Sequence, residues 1–121
     1  MKKIAITEEK PISEIQKDFN QYYPFLKLEF FQTKKNTVQA YRMIKNNLKL
    51  GDIVFSLQEG SIQLTDSMTV SELENIFTDR FGLQAQVFRK SGNIWLETTI
   101  TDKWTLKNQN DHGREISSEI Y

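Results

Sequence analysis

The sequence predicts an α+β fold built from two β-α-β-β units, with two helices on one face of a mainly antiparallel sheet. The ferredoxin-like βαββαβ form is the nearest common arrangement. Three observations lead there. Two apolar stripes recur at helical spacing, each stripe is flanked by strand-like segments, and the whole pattern occurs in both halves of the chain. Aligning Ile4–Phe31 with Ile62–Phe88 sets Thr7 on Thr65, Ile12 on Val70, Ser13 on Ser71, Phe19 on Phe77 and Tyr23 on Phe81. One residue near Phe25 is skipped before Phe31 meets Phe88. The identities are few; the shared physical pattern is the firmer basis. One domain over residues 1–106 follows, made of pseudo-repeats at about 3–50 and 60–106, with a C-terminal tail over 107–121.

Taken in order, Lys3 to Thr7 is the first strand. Ile12, Ile15, Phe19 and Tyr23 then form one helical stripe. Pro11 suits the first helical turn, where no amide donor is needed. Pro24 ends the helix, because the residue before a proline is pushed out of the α region. Leu26 to Gln32 is the next strand, and "TKKN" turns the chain into "TVQAYRMI". By itself Val38 to Leu48 also fits an amphipathic helix through Tyr41, Ile44 and Leu48; the repeat favours a strand.

In the second unit, the strand Ser61 to Thr65 precedes Val70, Leu73, Phe77 and Phe81, again one stripe. Thr69 and Glu72 have capping-box spacing, Met68 and Leu73 form the hydrophobic staple across it, and Gly82 supplies the left-handed stop. Gln84 to Lys90 and the segment from Ile94 then make a hairpin around "KSGN". A rival reads "IVFSLQEGSIQLT" as a hairpin before the second helix, giving a ubiquitin-like β-grasp in the second half. The tail from Lys107 is polar with sparse apolar residues and is expected to be loosely ordered or weakly docked. Sheet order, and whether the units share one sheet, stay open.

The 121 residues carry 16 Lys+Arg against 16 Asp+Glu, which argues against global steering to nucleic acid or anionic membrane. With no Cys there is no disulfide, thiolate ligand or thiol nucleophile. The opening "MKKIAITEEKP" reaches acids and a proline before a signal-peptide core can form, so a cytoplasmic protein without a membrane span is expected. The one histidine, His112, lies in the polar tail, away from any predicted pocket wall. No Ser-His pairing, H-E-x-x-H, G-x-G-x-x-G or phosphate loop is present. No catalytic residue, cofactor or metal is assigned, and a dispersed-carboxylate enzyme is a distant alternative.

From Gln86 the chain reads "QVFRKSGNIWLETTITDKWTLKNQN". This block, within Val70 to about Asn110, resembles a family of small uncharacterised bacterial proteins sharing QVFRKSG-x-x-WLETT-x-TD-x-WTL-x-x-QN. The resemblance implies no activity.

The candidate binding residues are Phe88, Arg89, Lys90, Trp95 and Trp104. Strand alternation puts Ala85, Val87 and Arg89 on one face and Gln86, Phe88 and Lys90 on the other, with Trp95 and Glu97 opposite Ile94 and Leu96. Phe88 and Trp95 are then either core or an aromatic pair on the open sheet face, able with its basic neighbours to bind a partner. Trp104 either closes the end of the core or joins that site, and Asp102 caps a turn through its carboxylate. Residues Gln32 to Gly51 hold Lys34, Lys35, Arg42, Lys45 and Lys49 with no acid among them, a solvated edge or a phosphate-binding stretch. The leading expectation is a non-catalytic protein-interaction or self-associating module that works through the sheet face or an open strand edge. Weak nucleic-acid binding is the alternative.

Overall fold

Both stripes become helices in the computed structural model, which describes residues 2–32 and 42–118. The elements run β1 (Lys2–Ile6), α1 (Ile12–Tyr22), β2 (Leu26–Gln32), β3 (Arg42–Met43) and a single turn α2 (Leu50–Ile53). The second half gives β4 (Gly60–Leu64), α3 (Val70–Phe81), β5 (Gln84–Ser91), β6 (Ile94–Glu97) and α4 (Leu106–Ser118). The class is α+β, and each half begins β-α-β-β.

Helix α3 starts where the spacing places it. Thr69 accepts from the Glu72 amide while the Glu72 carboxylate accepts from the Thr69 amide, which satisfies two orphan donors at once. Gly82, at φ 69°, takes the left-handed stop without a Cβ clash. Helix α1 has no side-chain cap, and Pro11 is the residue before its first turn rather than inside it. Its first amides are served instead by a loop: Ile12 and Ser13 donate to the Leu48 and Asn46 carbonyls, both at 2.9 Å.

The second unit repeats this device. Val70 and Ser71 donate to the Trp104 and Asp102 carbonyls at 3.1 and 2.8 Å. Asp102 thus caps through its main chain and not its carboxylate, because the loop it belongs to lies across the α3 N-terminus. Likewise Leu50 donates to Lys10 and Leu106 to Met68, at 2.9 and 2.8 Å. Every bond of the first unit in this set has its counterpart in the second.

The strands divide into two sheets, not the single sheet of the ferredoxin-like form. β1 pairs with β4 in a two-stranded ribbon, and the larger sheet has the order β3-β2-β5-β6, all antiparallel. Ile4, which aligns with Ile62, also pairs with Ile62; Glu29, which aligns with Gln86, pairs with Gln86. Equivalent strands therefore meet about an internal pseudo-two-fold axis. The β-grasp alternative fails because β4 pairs with β1, while residues 54–59 before it form no strand.

One apolar cluster draws on both units, from Ile4 to Leu106. Phe19, Phe30 and Phe77 are fully buried within it, and the Phe30 and Phe77 rings meet edge-on at 5.2 Å. The strand expected over "TVQAYRMI" falls largely outside the described residues; Arg42–Met43 alone is described as strand, paired with Gln32 and Phe31.

The expected loose tail is instead helix α4. Thr105 caps it by accepting from the Asn108 amide at 3.1 Å. The docked face is Leu106, Gln109, Asn110 and Gly113, at helical spacing but mostly polar. Gln109, with no exposed surface, accepts from the Arg89 guanidinium at 2.9 Å and donates to the Thr101 carbonyl and hydroxyl. Asn110 accepts from the Phe25 amide at 2.8 Å. Hydrogen bonding to strand ends replaces the apolar contact that sequence periodicity detects. Among the described residues no helix is long and apolar enough to cross a membrane.

Candidate interaction site

The sheet separates the five candidate residues into two groups. Val87, buried, faces the helices, so Phe88, Lys90 and Trp95 lie on the opposite, open face, where Phe88 and Trp95 are half-buried. Both aromatics lie on the open sheet face, outside the core cluster. Lys27, which the sequence reading missed, completes the group. It is the cross-strand partner of Phe88, and its ammonium lies 5.6 Å from the Phe88 ring and 5.1 Å from the Trp95 ring. It also meets the Glu29 carboxylate at 3.4 Å. Only the β2–β5 register brings Lys27 here.

Arg89 and Trp104 lie on the other side, beneath α4. The Arg89 guanidinium sits 5.9 Å from the Trp104 ring, which meets His112 edge-on at 5.5 Å. Trp104 is 39% exposed, so it does not close the core. His112, expected far from any pocket wall, lines an open cleft of about 380 Å³ with Trp104, Asn108, Asp111 and Glu115. Helix formation put it there by stacking residues four apart. The Asp111 carboxyl is held below the usual carboxylate range, first by the Lys107 hydrogen bond, and Arg114 also binds it. A carboxylate fixed between two cations makes a poor proton donor at neutral pH. Of the basic stretch, Lys34 and Lys35 lie outside the described residues, Lys45 is exposed, and Lys49 pairs with Glu9 at 2.9 Å.

Strand edges carry the clearest pattern. In β1, the Lys3 amide donates to the Tyr22 hydroxyl, which donates in turn to the Lys3 carbonyl, both at 3.2 Å. The Lys10 ammonium holds the Ala5 carbonyl at 2.8 Å. In β4, Arg80, the counterpart of Tyr22, donates to the Ser61 carbonyl at 3.2 Å. Beyond the short β3, the outer edge of β2 is taken by Asn20 on the Leu26 carbonyl (2.9 Å) and Gln16 on the Leu28 carbonyl (2.8 Å). Their counterparts on α3, Thr78 and Glu74, treat β5 alike: Thr78 donates to the Leu83 carbonyl at 3.4 Å, and Glu74 accepts from the Val87 amide at 2.9 Å.

Glu74 stands where the next residue of β6 would have paired. β6 ends at Glu97; Thr98 donates its amide and its hydroxyl to the Val87 carbonyl, while its own carbonyl turns away and accepts from the Thr101 amide at 3.1 Å. Burial pushes the Glu74 carboxyl up to about 7, against the opposing pull of the Val87 amide, and the Asp102 charge adds to the rise.

The outer edge of β6 is different. Lys90 donates to the Phe25 carbonyl, so Gln86, Phe88 and Lys90 turn their main-chain groups toward β2 and Arg89 and Ser91 turn theirs toward β6. Leu96 and Ile94 point back at Arg89 and Ser91, which leaves the amides and carbonyls of Trp95 and Glu97 directed outward. Among the described residues, no helix side chain bonds them. Ile94 (58% exposed) and Leu96 (39%) flank this edge on one face, Trp95 on the other.

No family model, curated protein sequence or solved structure matches the chain.

Proposed function

We propose that this protein is a non-catalytic, cytoplasmic interaction module that binds a polypeptide by strand addition at the β6 edge. The observation that carries the reading is the contrast among edges. α1 and α3 spend Tyr22, Asn20, Gln16, Arg80, Thr78 and Glu74 on main-chain groups in or next to β1, β2, β4 and β5, and β6 receives no such bond among the described residues. Exposed edges invite pairing, and folds suppress them where pairing is unwanted. An added strand would gain main-chain hydrogen bonds from Trp95 and Glu97 and apolar contact with Ile94, Leu96 and Trp95.

Glu97→Pro tests this. Proline removes the outward amide of Glu97, while the inward bonds of β6 to Arg89 and Ser91 do not use that group. A tagged wild-type bait in native lysate is expected to retain a polypeptide, either another protein or the untagged chain, and the proline variant to lose it. Equal retention by both, or retention by neither, overturns the reading.

A second reading is single-stranded nucleic-acid binding, favoured by Phe88 and Trp95 on the open face beside Lys27 and Lys90. It is the weaker one. Arg89 is under α4 with Gln109, and β3, which carries Arg42, lies at the opposite edge of the sheet from β6. Salt-sensitive retention on single-stranded DNA or RNA, lost in Trp95→Ala, would support it.

A further inference from the structure

We infer that the polypeptide which occupies the β6 edge is a second copy of this chain, added antiparallel about a two-fold axis through Leu96; this rests on the strand-addition reading above. The fold already performs the same operation twice. β1 meets its counterpart β4, and β2 meets its counterpart β5, each about a dyad between equivalent residues. β6, like β3 at the far end of the larger sheet, has no strand on its outer side, and among the described residues no helix side chain bonds its outward groups.

The register follows from the groups available. Trp95 and Glu97 are the residues with outward amides and carbonyls, and an antiparallel pair needs each to face a residue that can return both bonds. A dyad at Leu96 pairs Trp95 with the second copy's Glu97 and Glu97 with the second copy's Trp95. All outward groups of those residues are then used, in four hydrogen bonds. On one face Leu96 meets the second copy's Leu96, which covers side chains now 39% exposed. On the other face the order across strands becomes Lys90, Trp95, then the second copy's Glu97. Each copy thus sets a carboxylate beside the other's aromatic and lysine group, with Lys27 and Lys90 as the cations and Glu97 as the anion. The joined sheet would run without a break through both copies. The shared edge is only four residues long, well below a standard interface, so the association is weak and concentration-dependent.

The absence of cysteine gives a direct test. Opposed residues in a non-hydrogen-bonded antiparallel pair have Cα atoms about 4.5 Å apart, within the ~4.4–6.8 Å a disulfide spans. Leu96→Cys is therefore expected to form a disulfide-linked dimer under mild oxidation. Phe55→Cys, at a site 95% exposed in the loop between α2 and β4, is expected to stay largely monomeric. Sedimentation velocity on the unmodified protein should show a monomer–dimer equilibrium that Glu97→Pro abolishes. Glu97→Lys, which sets a third lysine beside Lys27 and Lys90, should abolish it too and serves if the proline variant does not fold. A wild-type protein that stays monomeric at millimolar concentration, or equal crosslinking at positions 96 and 55, overturns the inference. If the bait retains another protein but never the untagged chain, the second copy is the wrong occupant while strand addition at β6 stands. If Glu97→Pro changes neither capture nor sedimentation, both fall.

Discussion

The two units share a backbone plan and differ in how the chain continues beyond it. After β3 the first unit returns to the N-terminus of α1, bonds Leu50 to Lys10 and Gly51 to Glu8, and stops as the single turn α2. After β6 the second unit makes the equivalent bonds, Leu106 to Met68 and Lys107 to Asp66, but continues through Ser118 as α4. Leu50 and Leu106 are both fully buried, so the start of each segment is fixed by the same anchor. Beyond the anchor the second unit has Gln109, Asn110 and Gly113 to dock on Arg89 and Phe25, while the first turns away toward β4. The difference teaches that main-chain bonding sets the repeat, and that a few polar side chains decide how far each copy extends.

Helix side chains show the same economy. Tyr22 and Arg80 close different strands with different chemistry from equivalent positions. Gln16 and Glu74 are the sharpest pair. The amide of Gln16 can donate, and it serves the Leu28 carbonyl; the carboxylate of Glu74 can only accept, and it serves the Val87 amide. The Gln16 amide is neutral at every pH, whereas its counterpart Glu74 is a titratable group in the strand edge.

The largest effect that would break this comparison lies in the core. Phe19→Ala and Phe77→Ala remove equivalent, fully buried rings from one shared cluster, and each is expected to cost about 3–5 kcal/mol in chemical denaturation. A cost below about 1 kcal/mol for either would show that the two helices do not share one cooperative interior.

Gly113 gives the next largest. A Cβ there would stand 3.0 Å from Arg89 Cγ and 3.0 Å from Phe25 Cβ, so α4 approaches the sheet at this residue as closely as packing permits. Gly113→Leu is expected to cost about 1–3 kcal/mol and to expose the Phe25 amide, bonded to Asn110, to faster hydrogen exchange. Unchanged exchange at Phe25 would mean α4 does not depend on that approach.

Exchanging the carboxyl and amide between the copies has the smallest effect and sharpens the comparison most. The Glu74 carboxyl is raised from its ordinary 4.5 to about 7 in the folded chain, so its contribution to stability is complete below 4.5 and is lost as pH rises through about 7. Because the group is partly solvated, Glu74→Gln is expected to gain only about 1 kcal/mol at pH 8, or about 3–6 °C in Tm, and to flatten the pH dependence between 5 and 8. Gln16→Glu should do the reverse, destabilising near neutrality beside Glu29 and recovering in acid. Parallel pH–Tm profiles for wild type and Glu74→Gln would remove Glu74 from the account.

What could be read before folding was whatever the chain writes locally. Helical stripes at Ile12 and Val70, the Thr69–Glu72 cap, the Gly82 stop and the hairpin at Gly92 are short-range signals, and hydrophobic periodicity reports them faithfully. The repeat alignment even contained the dyad, since Ile4 and Ile62 were already set opposite each other. The sequence by itself also determined that Phe88 and Lys90 share a face and that Arg89 does not, because alternation along a strand needs no partner. Tertiary structure alone decided which face met water, which strands paired, that Lys27 joined Trp95, and that a polar tail became a docked helix. Those outcomes rest on contacts between residues far apart in the chain, and on burial satisfied by hydrogen bonds rather than by apolar surface. Neither leaves a periodic mark in the order of amino acids.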